Sequence, residues 1–286
     1  MKTTRSSNVA AGVRTTLLLA TLTGLFVVIG AAIGGPQTAL MFLFFGAIMN
    51  LGAFWFSDKI ALKMSGAVPL EESQAPGIYS MVRELCERAQ MPMPALYMIP
   101  QAQPNAFATG RSPNRAAVAV TAGITKLLSE EELRGVIAHE LAHIQNRDTL
   151  IQSVAATIGG AITYLAYMLM WFGGDNNSPL GLIGSLAMVL LAPIAASLIQ
   201  MSISRQREFS ADATGAEISG RPESLASALL RLEQGAKDIP MDVNQATECM
   251  YIVKPLSGKG IAGLFSTHPP IEERVRRLRQ MRTSVG

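Results

Sequence analysis

The chain has 286 residues, of which 49% are hydrophobic and only 16% are charged. This much apolar surface excludes an intrinsically disordered protein and is unusual for a soluble one. The formal net charge of +3 is too small to indicate nucleic-acid binding, so we expect no nucleic-acid partner. The two cysteines, Cys86 and Cys249, lie far apart and are expected to be thiols in a reducing compartment rather than a disulfide.

A long stretch near the start of the chain predicts a membrane hairpin. No charged residue lies between Arg14 and Asp58, and Gly34-Gly35-Pro36 interrupts the stretch near its middle. Each half is long enough to cross a hydrocarbon core of roughly 30 Å. A cleaved signal peptide is the alternative for the first half, but a second segment of spanning length follows it after a short turn.

A second hairpin is predicted further along the chain. Residues 149–174 and 176–204 carry no charge, and Asp175 lies in the turn between them. These segments are rich in Gly, Ala and Ser, which allow membrane helices to pack closely. Buried helices of a soluble core are the alternative for both hairpins.

The positions of the basic residues orient the predicted hairpins. Neither turn contains a Lys or Arg, whereas basic residues flank the outer ends of the spans: Lys2, Arg5, Arg14, Lys59, Lys63, Arg205 and Arg207. By the positive-inside rule both hairpins point outward, and the termini and both polar segments lie in the cytoplasm. The predicted organisation is hairpin 1–57, polar segment 58–148, hairpin 149–204 and polar segment 205–286. Either polar segment alone is small for a stable core, so we expect the two to fold together.

Local patterns predict helices and strands in the polar segments. A capping box at Ser129-Glu130-Glu131-Glu132 predicts a helix that runs through at least Asn146. The other predicted elements are an amphipathic helix over 75–90, strands at Ala95–Ile99, about Ala106–Thr109 and Ala116–Thr121, and helices over Ser204–Ile218, from Pro222 and after Pro270.

The capped helix carries the strongest chemical signal, His139-Glu140-Leu141-Ala142-His143. Imidazoles four residues apart lie on one helix face and can share one metal ion. Glu140 lies beside that face and is placed to take a proton from an activated water. Two neutral imidazoles, one carboxylate and an open position suit zinc. A chance match on a surface helix is the alternative, and the apolar residues around the motif argue against it.

A third ligand has to come from elsewhere in the chain. There are only three histidines, and His268 stands in a different context, so a carboxylate is expected. Glu208, on a predicted helix just after the fourth span, is the best candidate. Asp212 lies one turn further on and can accept the second N–H of a ligand histidine. Taken alone, this stretch is equally compatible with a salt-bridged helix face.

Several motifs together resemble the HtpX proteases, bacterial membrane relatives of the eukaryotic type I CAAX prenyl endopeptidases. They are His139–His143 with Asn146-Arg147-Asp148, Glu208-x-x-x-Asp212, Pro104-Asn105-Ala106-Phe107-Ala108, and Thr267-His268-Pro269-Pro270-Ile271-Glu272-Glu273-Arg274. The resemblance covers essentially the whole chain. It implies a mainly helical α+β fold, with a gluzincin-like zinc peptidase domain and four transmembrane helices in two hairpins.

The same resemblance implies roles for individual residues. One zinc ion would be bound by His139, His143 and Glu208, with Glu140 as the catalytic base and Asp212 supporting a ligand histidine.

Two further roles follow from the resemblance alone. Asn105-Ala106-Phe107 resembles an exposed strand along which the substrate backbone pairs, and an ordinary turn and strand is the alternative. His268 would either stabilise the oxyanion near zinc or simply begin a helix.

The implied activity is zinc-dependent hydrolysis of misfolded or damaged membrane proteins, as quality control in the bacterial inner membrane. The implied partners are protein substrates and the lipid bilayer. An intramembrane protease is disfavoured because charged residues bracket the histidine motif closely, namely Glu130–Glu132, Arg134, Arg147 and Asp148. A zinc-binding or transport protein without catalysis is the other alternative. Transport should place ionisable residues within the spans, and the predicted spans have none. A zinc-dependent cleavage assay would distinguish the enzyme from a zinc-binding protein.

Overall fold

The structure is a computed structural model that describes residues 2–158, 205–239, 250–253 and 269–283. Most of the second predicted hairpin, Cys249 and His268 lie outside these residues, while Cys86 is a buried free thiol. The elements in chain order are α1 (Lys2–Met64), β1 (Val68–Pro69), α2 (Pro76–Ala89), β2 (Ala95–Ile99), β3 (Ala106–Ser112), β4 (Arg115–Thr121), α3 (Ala122–Leu127), α4 (Glu130–Gln145), α5 (Arg205–Ser219), α6 (Pro222–Asp238) and α7 (Ile271–Thr283). Residues 148–158 are also helical.

The first helical element, α1, folds back on itself. Asn50 Nδ2 donates a hydrogen bond to Thr23 Oγ1 at 2.7 Å, although the two residues are 27 positions apart. In a straight helix they would be separated by about 40 Å. Gly35, with φ of 73°, lies between them and is followed by Pro36. The chain therefore reverses where the sequence predicted a turn. Within the described residues, Gly35–Met64 is the helix long and apolar enough to cross a membrane.

The four strands form one small sheet in the order β1-β2-β4-β3. β2 pairs parallel with β4, whereas β3 pairs antiparallel with β4. This order leaves β3 at an edge of the sheet, where it contacts α4. The three predicted strands are confirmed, although β3 extends to Ser112. The short elements β1 and α3 were not predicted.

One hydrophobic core contains residues from both polar segments. It joins Leu85 of α2 and Val118 of β4 to Ile137 of α4, Leu225 of α6 and Leu278 of α7, all of them buried. The result is a mainly helical α+β arrangement with α4 at its centre. The helices predicted over 75–90, from Pro222 and after Pro270 are confirmed.

The capping box at the start of α4 is present in full. The Ser129 hydroxyl accepts a hydrogen bond from the Glu132 backbone N–H, and Glu132 Oε2 accepts one from the Ser129 N–H at 2.9 Å. Glu132 also reaches α6, where it accepts hydrogen bonds from Ser227 at 2.6 Å and from Arg231 at 2.8 Å. The Glu132 carboxylate therefore both caps the N-terminus of α4 and links α4 to α6 by hydrogen bonds. The helix ends at Gln145, with Asn146 as its C-cap.

These contacts change the acidity of Glu132. Burial alone raises its pKa, but hydrogen bonds from Ser227 and from the Ser129 backbone outweigh burial and lower the pKa from 4.5 to about 2. A carboxyl whose pKa is lowered on folding stabilises the folded state above its unfolded pKa. That stabilisation is lost as the pH falls from about 4.5 towards 2.

We therefore expect Glu132→Gln to lower the free energy of unfolding by about 1–3 kcal/mol at pH 7, through loss of the cap and of the ties to α6. The difference from wild type should shrink as the pH is lowered to 3, because below about pH 4.5 Glu132 binds a proton in the unfolded wild-type chain, which stabilises the unfolded state relative to the folded one. Thermal unfolding in detergent at both pH values measures this. Glu130→Gln, at an exposed position in the same turn, is the control and should change little. A deficit of equal size at pH 3 and pH 7 would contradict the assignment.

Candidate active site

The two histidines of α4 face the protein interior. His139 and His143 are both buried, and their Nε2 atoms lie 3.2 Å apart. The spacing of four residues places both rings on one face of the helix, as the sequence predicted.

Helix α5 brings a carboxylate to the same point. Glu208 Oε1 lies 3.4 Å from His143 Nε2, and Glu208 Oε2 lies 3.8 Å from His139 Nε2. Glu208 is buried, and one ligand atom from each of the three residues lies within 4.8 Å of the others. The structure thus brings together the three residues that were predicted to bind a metal.

A glycine on α5 allows this approach. A Cβ atom at Gly215 would lie 2.9 Å from both the backbone N and the Cα of His139. These positions belong to the backbone of a packed helix, which cannot move aside as a flexible side chain can. The closeness of α4 and α5, and with it the position of Glu208, therefore depends on the missing side chain at residue 215.

A carboxylate supports each histidine from behind. Asp212 Oδ1 lies 3.0 Å from His139 Nδ1, and Asp148 Oδ2 lies 3.2 Å from His143 Nδ1. Such a partner holds the proton on Nδ1 and leaves the Nε2 lone pair for a metal. The prediction for Asp212 named this contact. No role was predicted for Asp148, which follows the helix end where Arg147 adopts a φ of 60°. The sequence feature that could have indicated this role is the position of Asp148, five residues after His143.

The donor set fits a divalent cation such as zinc. With both Nδ1 positions facing carboxylates, two imidazole lone pairs and a carboxylate face each other in a buried space, which is favourable only around a positive charge. Ligand atoms about 2.0–2.1 Å from a tetrahedral zinc would be separated by about 3.3 Å. The observed separations of 3.2, 3.4 and 3.8 Å are close to this value.

The two rings differ in their affinity for a proton. Burial lowers the pKa of His139 to about 4. For His143 burial also lowers the pKa, but the Glu208 and Asp148 carboxylates outweigh burial and raise it to about 9. At neutral pH His143 is therefore the ring that takes up an extra proton, and the pair carries a single positive charge.

Glu140 lies beside the ligands without being one of them. Its side chain is buried, and the nearby backbone N–H of Ala108 on β3 favours its charged form. Burial raises the pKa of Glu140 to about 7, and repulsion from Glu208 contributes to the increase. A cation held by the neighbouring residues would lower this pKa again. A carboxylate in this place can accept a proton at neutral pH.

The strand predicted to be exposed is in fact covered. Asn105, Ala106 and Phe107 are fully buried. The segment Met250–Val253 lies along the outer edge of β3, where the Ile252 N–H donates to Ala106 O at 3.0 Å. The Asn105 side chain donates to Val253 O at 2.7 Å, and the Phe107 ring packs edge-on against Tyr251.

The expectation of exposure is therefore wrong, because residues distant in sequence cover this edge. A substrate-binding role for Asn105, Ala106 and Phe107 stays a prediction, as does the role of His268, which lies outside the described part of the chain.

A helix bearing two histidines and a buried glutamate, completed by a carboxylate from a second helix, defines the site of a metal-dependent hydrolase. Comparison with known proteins shows which family of metal-dependent hydrolases this is. The sequence profile of "Peptidase family M48" matches residues 72–282. The chain belongs to this family and is a metalloprotease.

Relatives agree with this assignment, and a solved structure shares the fold. The chain is 52% identical over 277 residues to a "Protease HtpX homolog" of Syntrophobacter fumaroxidans, covering 94% of this chain and 98% of the relative. It is 54% identical over 283 residues to one of Persephonella marina, covering 96% and 98%. The crystal structure of S. mikatae Ste24p has a similar fold, with a TM-score of 0.52 at 18% identity, covering 97% of this chain and 67% of that one.

We expect Gly215→Ala to weaken metal binding. The added Cβ must push α5 away from α4, at a cost of about 1–3 kcal/mol in stability, and Glu208 moves with it. Zinc content and thermal stability of the purified protein measure the two effects. Gly77→Ala is the matched control, because nothing lies within 4 Å of a Cβ at that helical glycine. Wild-type zinc affinity in Gly215→Ala would show that the close approach does not position the ligand.

Proposed function

We propose that the protein is a membrane-anchored zinc endopeptidase that hydrolyses peptide bonds with Glu140 as general base. The observation that carries this proposal is the convergence of His139, His143 and Glu208 on one point, with Glu140 beside them and a carboxylate behind each ring.

In this mechanism the chain positions the reactants and moves one proton. His139, His143 and Glu208 would hold zinc, which when bound activates a water and polarises the scissile carbonyl. Glu140 accepts the proton of the attacking water and passes it to the leaving amine nitrogen. Asp212 and Asp148 keep each imidazole in the tautomer that leaves its Nε2 free.

The exposed face of α1 supports a membrane anchor. Large apolar side chains along the Gly35–Met64 helix are between 42% and 71% exposed, namely Leu40, Met41, Leu43, Phe44, Phe45, Ile48, Leu51, Trp55 and Phe56. A soluble monomer rarely exposes so large an apolar patch, whereas a lipid bilayer would cover it. We propose that this hairpin and residues 149–204 together supply four spans, with both termini in the cytoplasm, as the positive-inside rule predicts.

Contacts of β3 support a site close to the membrane surface. The Arg111 guanidinium lies 4.1 Å from the centre of the Trp55 ring, and Trp is common at membrane interfaces. Ala108, which contacts Glu140, is three residues or roughly 10 Å from Arg111 along β3. Thr149, at the start of the second predicted hairpin, donates to Gly110 O at 2.8 Å. Both predicted hairpins thus contact the same end of this strand.

This arrangement suits substrates that are themselves held in the membrane. We propose that the protein cleaves the cytoplasmic parts of misfolded or damaged proteins of the bacterial inner membrane. Proximity to the bilayer raises the effective concentration of such chains at the site.

We expect Glu140→Gln to bind zinc like the wild type and to lose about 10²–10⁴-fold in peptide hydrolysis, because the proton acceptor is gone and the ligands remain. Metal analysis and cleavage of casein or a membrane protein by the purified protein measure both quantities. Glu208→Gln is the comparison variant, and it should lose zinc as well as activity. Unchanged turnover in Glu140→Gln would refute the mechanism.

The orientation can be tested with single cysteines in a variant whose natural cysteines are replaced by alanine. Gln37→Cys, beside the turn of α1, should react with a membrane-impermeant thiol reagent added to the outer face of the membrane. Asn114→Cys, in the β3–β4 turn, should react only after the membrane is opened. Both positions are exposed, so protein burial does not decide the result. The reverse pattern would overturn the proposed topology.

A further inference from the structure

Arg274 is a fully buried arginine beside the metal-binding residues. It lies in the first turn of α7 and has 0% exposure, and it is one of the largest side chains among the fully buried residues described. Burying a guanidinium costs several kcal/mol unless it is well paired. Its partners therefore indicate what it does.

The main partner of Arg274 is Asp212. Nε of Arg274 donates to Asp212 Oδ2 at 2.9 Å, and Nη2 donates to Oδ1 at 2.7 Å. Two parallel hydrogen bonds fix both the position and the plane of the carboxylate. The same Oδ1 atom lies 3.0 Å from His139 Nδ1. Arg274, Asp212 and His139 thus form one continuous chain of contacts that ends at a metal ligand.

The guanidinium also faces the ligand atoms themselves. Nη2 lies 3.4 Å from His139 Nε2, and Nη1 lies 3.8 Å from Glu208 Oε2. Nη1 further donates to the backbone oxygen of Ile252 at 3.3 Å. A lysine could not reproduce this set of contacts, because an ammonium group has no planar fork.

The second histidine has a similar but looser support. Asp148, behind His143, lies 3.8 Å from Arg207 Nε. One arginine therefore accompanies each supporting carboxylate. The contacts to Asp212 are shorter and come in a pair, so the arginine should matter most for His139.

We propose that Arg274 is a positioning residue for the metal centre, which fixes Asp212 and thereby holds the His139 ring with Nε2 directed at the ion. This inference rests on the metal binding in the proposed function. Arg274 acts through Asp212, so removing the arginine and removing the aspartate should have overlapping effects on zinc affinity.

A double-mutant cycle on the purified full-length protein tests this. Zinc affinity is measured by competition with a chromophoric chelator for wild type, Arg274→Gln, Asp212→Asn and the double variant. We expect about a 10–100-fold loss in each single variant, the size found when the partner of a ligand histidine is removed. The double variant should lose no more than Asp212→Asn alone. Arg276→Gln, on the exposed side of the same helix, should match the wild type.

A spectroscopic signature separates positioning from a purely structural role. Cobalt(II) bound in place of zinc should show a shifted visible absorption spectrum in Arg274→Gln and in Asp212→Asn, and an unchanged one in Arg276→Gln. If Arg274→Gln does not fold, Arg274→Lys takes its place, because it keeps the charge and loses the paired hydrogen bonds. It should weaken zinc binding and shift the spectrum.

Three results would overturn the inference: additive losses in the double variant, an Arg274→Gln protein with wild-type affinity, or an Arg274→Lys protein with wild-type affinity and spectrum. Failure of the wild type to bind zinc or cobalt would instead overturn the proposed function itself.

Discussion

The approach of α5 to α4 is the constraint on which the site depends. The histidine pair belongs to α4 and its third partner to α5, and the two backbones come close enough only where Gly215 contacts His139. Another glycine, Gly135 on α4, lies against the backbone of Leu225 on α6 in the same way. Apolar burial drives these helices together, but the absence of two side chains decides how far they come. The position of the Glu208 carboxylate follows from that distance.

The same packing determines how the buried charged groups of the site are paired. Four carboxylates, two imidazoles and a guanidinium are buried within a few ångströms of one another, which would be unfavourable without pairing. Their contacts show which of these charged groups are paired with one another. Arg274 balances Asp212, whose pKa it lowers to about 2 against the opposing effect of burial. Glu208, whose Oε2 lies 3.8 Å from Arg274 Nη1, and Glu140 add negative charge where a cation would be bound.

Much of the fold could be predicted because its signals are local. The capping box, the histidine motif, β2 and the helix after Pro76 each depend on residues within a few positions of one another. Glu208 could not be predicted as a ligand from its local sequence, since by itself that stretch was equally compatible with a surface helix. Its assignment came from joining this stretch to the histidine pair, which needs a third ligand, and the family resemblance implied the same role. The two-residue strand β1 and the six-residue α3 are too short for periodicity to reveal.

The features that sequence reasoning missed are contacts between distant parts of the chain. The segment Met250–Val253 covers β3 across about 150 positions, since Val253 and Asn105 are 148 residues apart. An apolar, alanine-rich strand carries no sign of whether its edge is open or paired, so the expectation of an exposed edge was wrong. Arg274 was recognised only as part of a motif, because its partner lies 62 residues away.

The order of these residues along the chain has a consequence for biosynthesis. The histidine pair leaves the ribosome first, Glu208 follows only after residues 149–204, and Arg274 arrives with the last helix. A nascent or truncated chain that ends before α7 therefore carries all three predicted metal ligands but lacks the guanidinium that contacts Asp212. The hydrolytic centre is therefore complete only once α7 has been synthesised and has packed against α5.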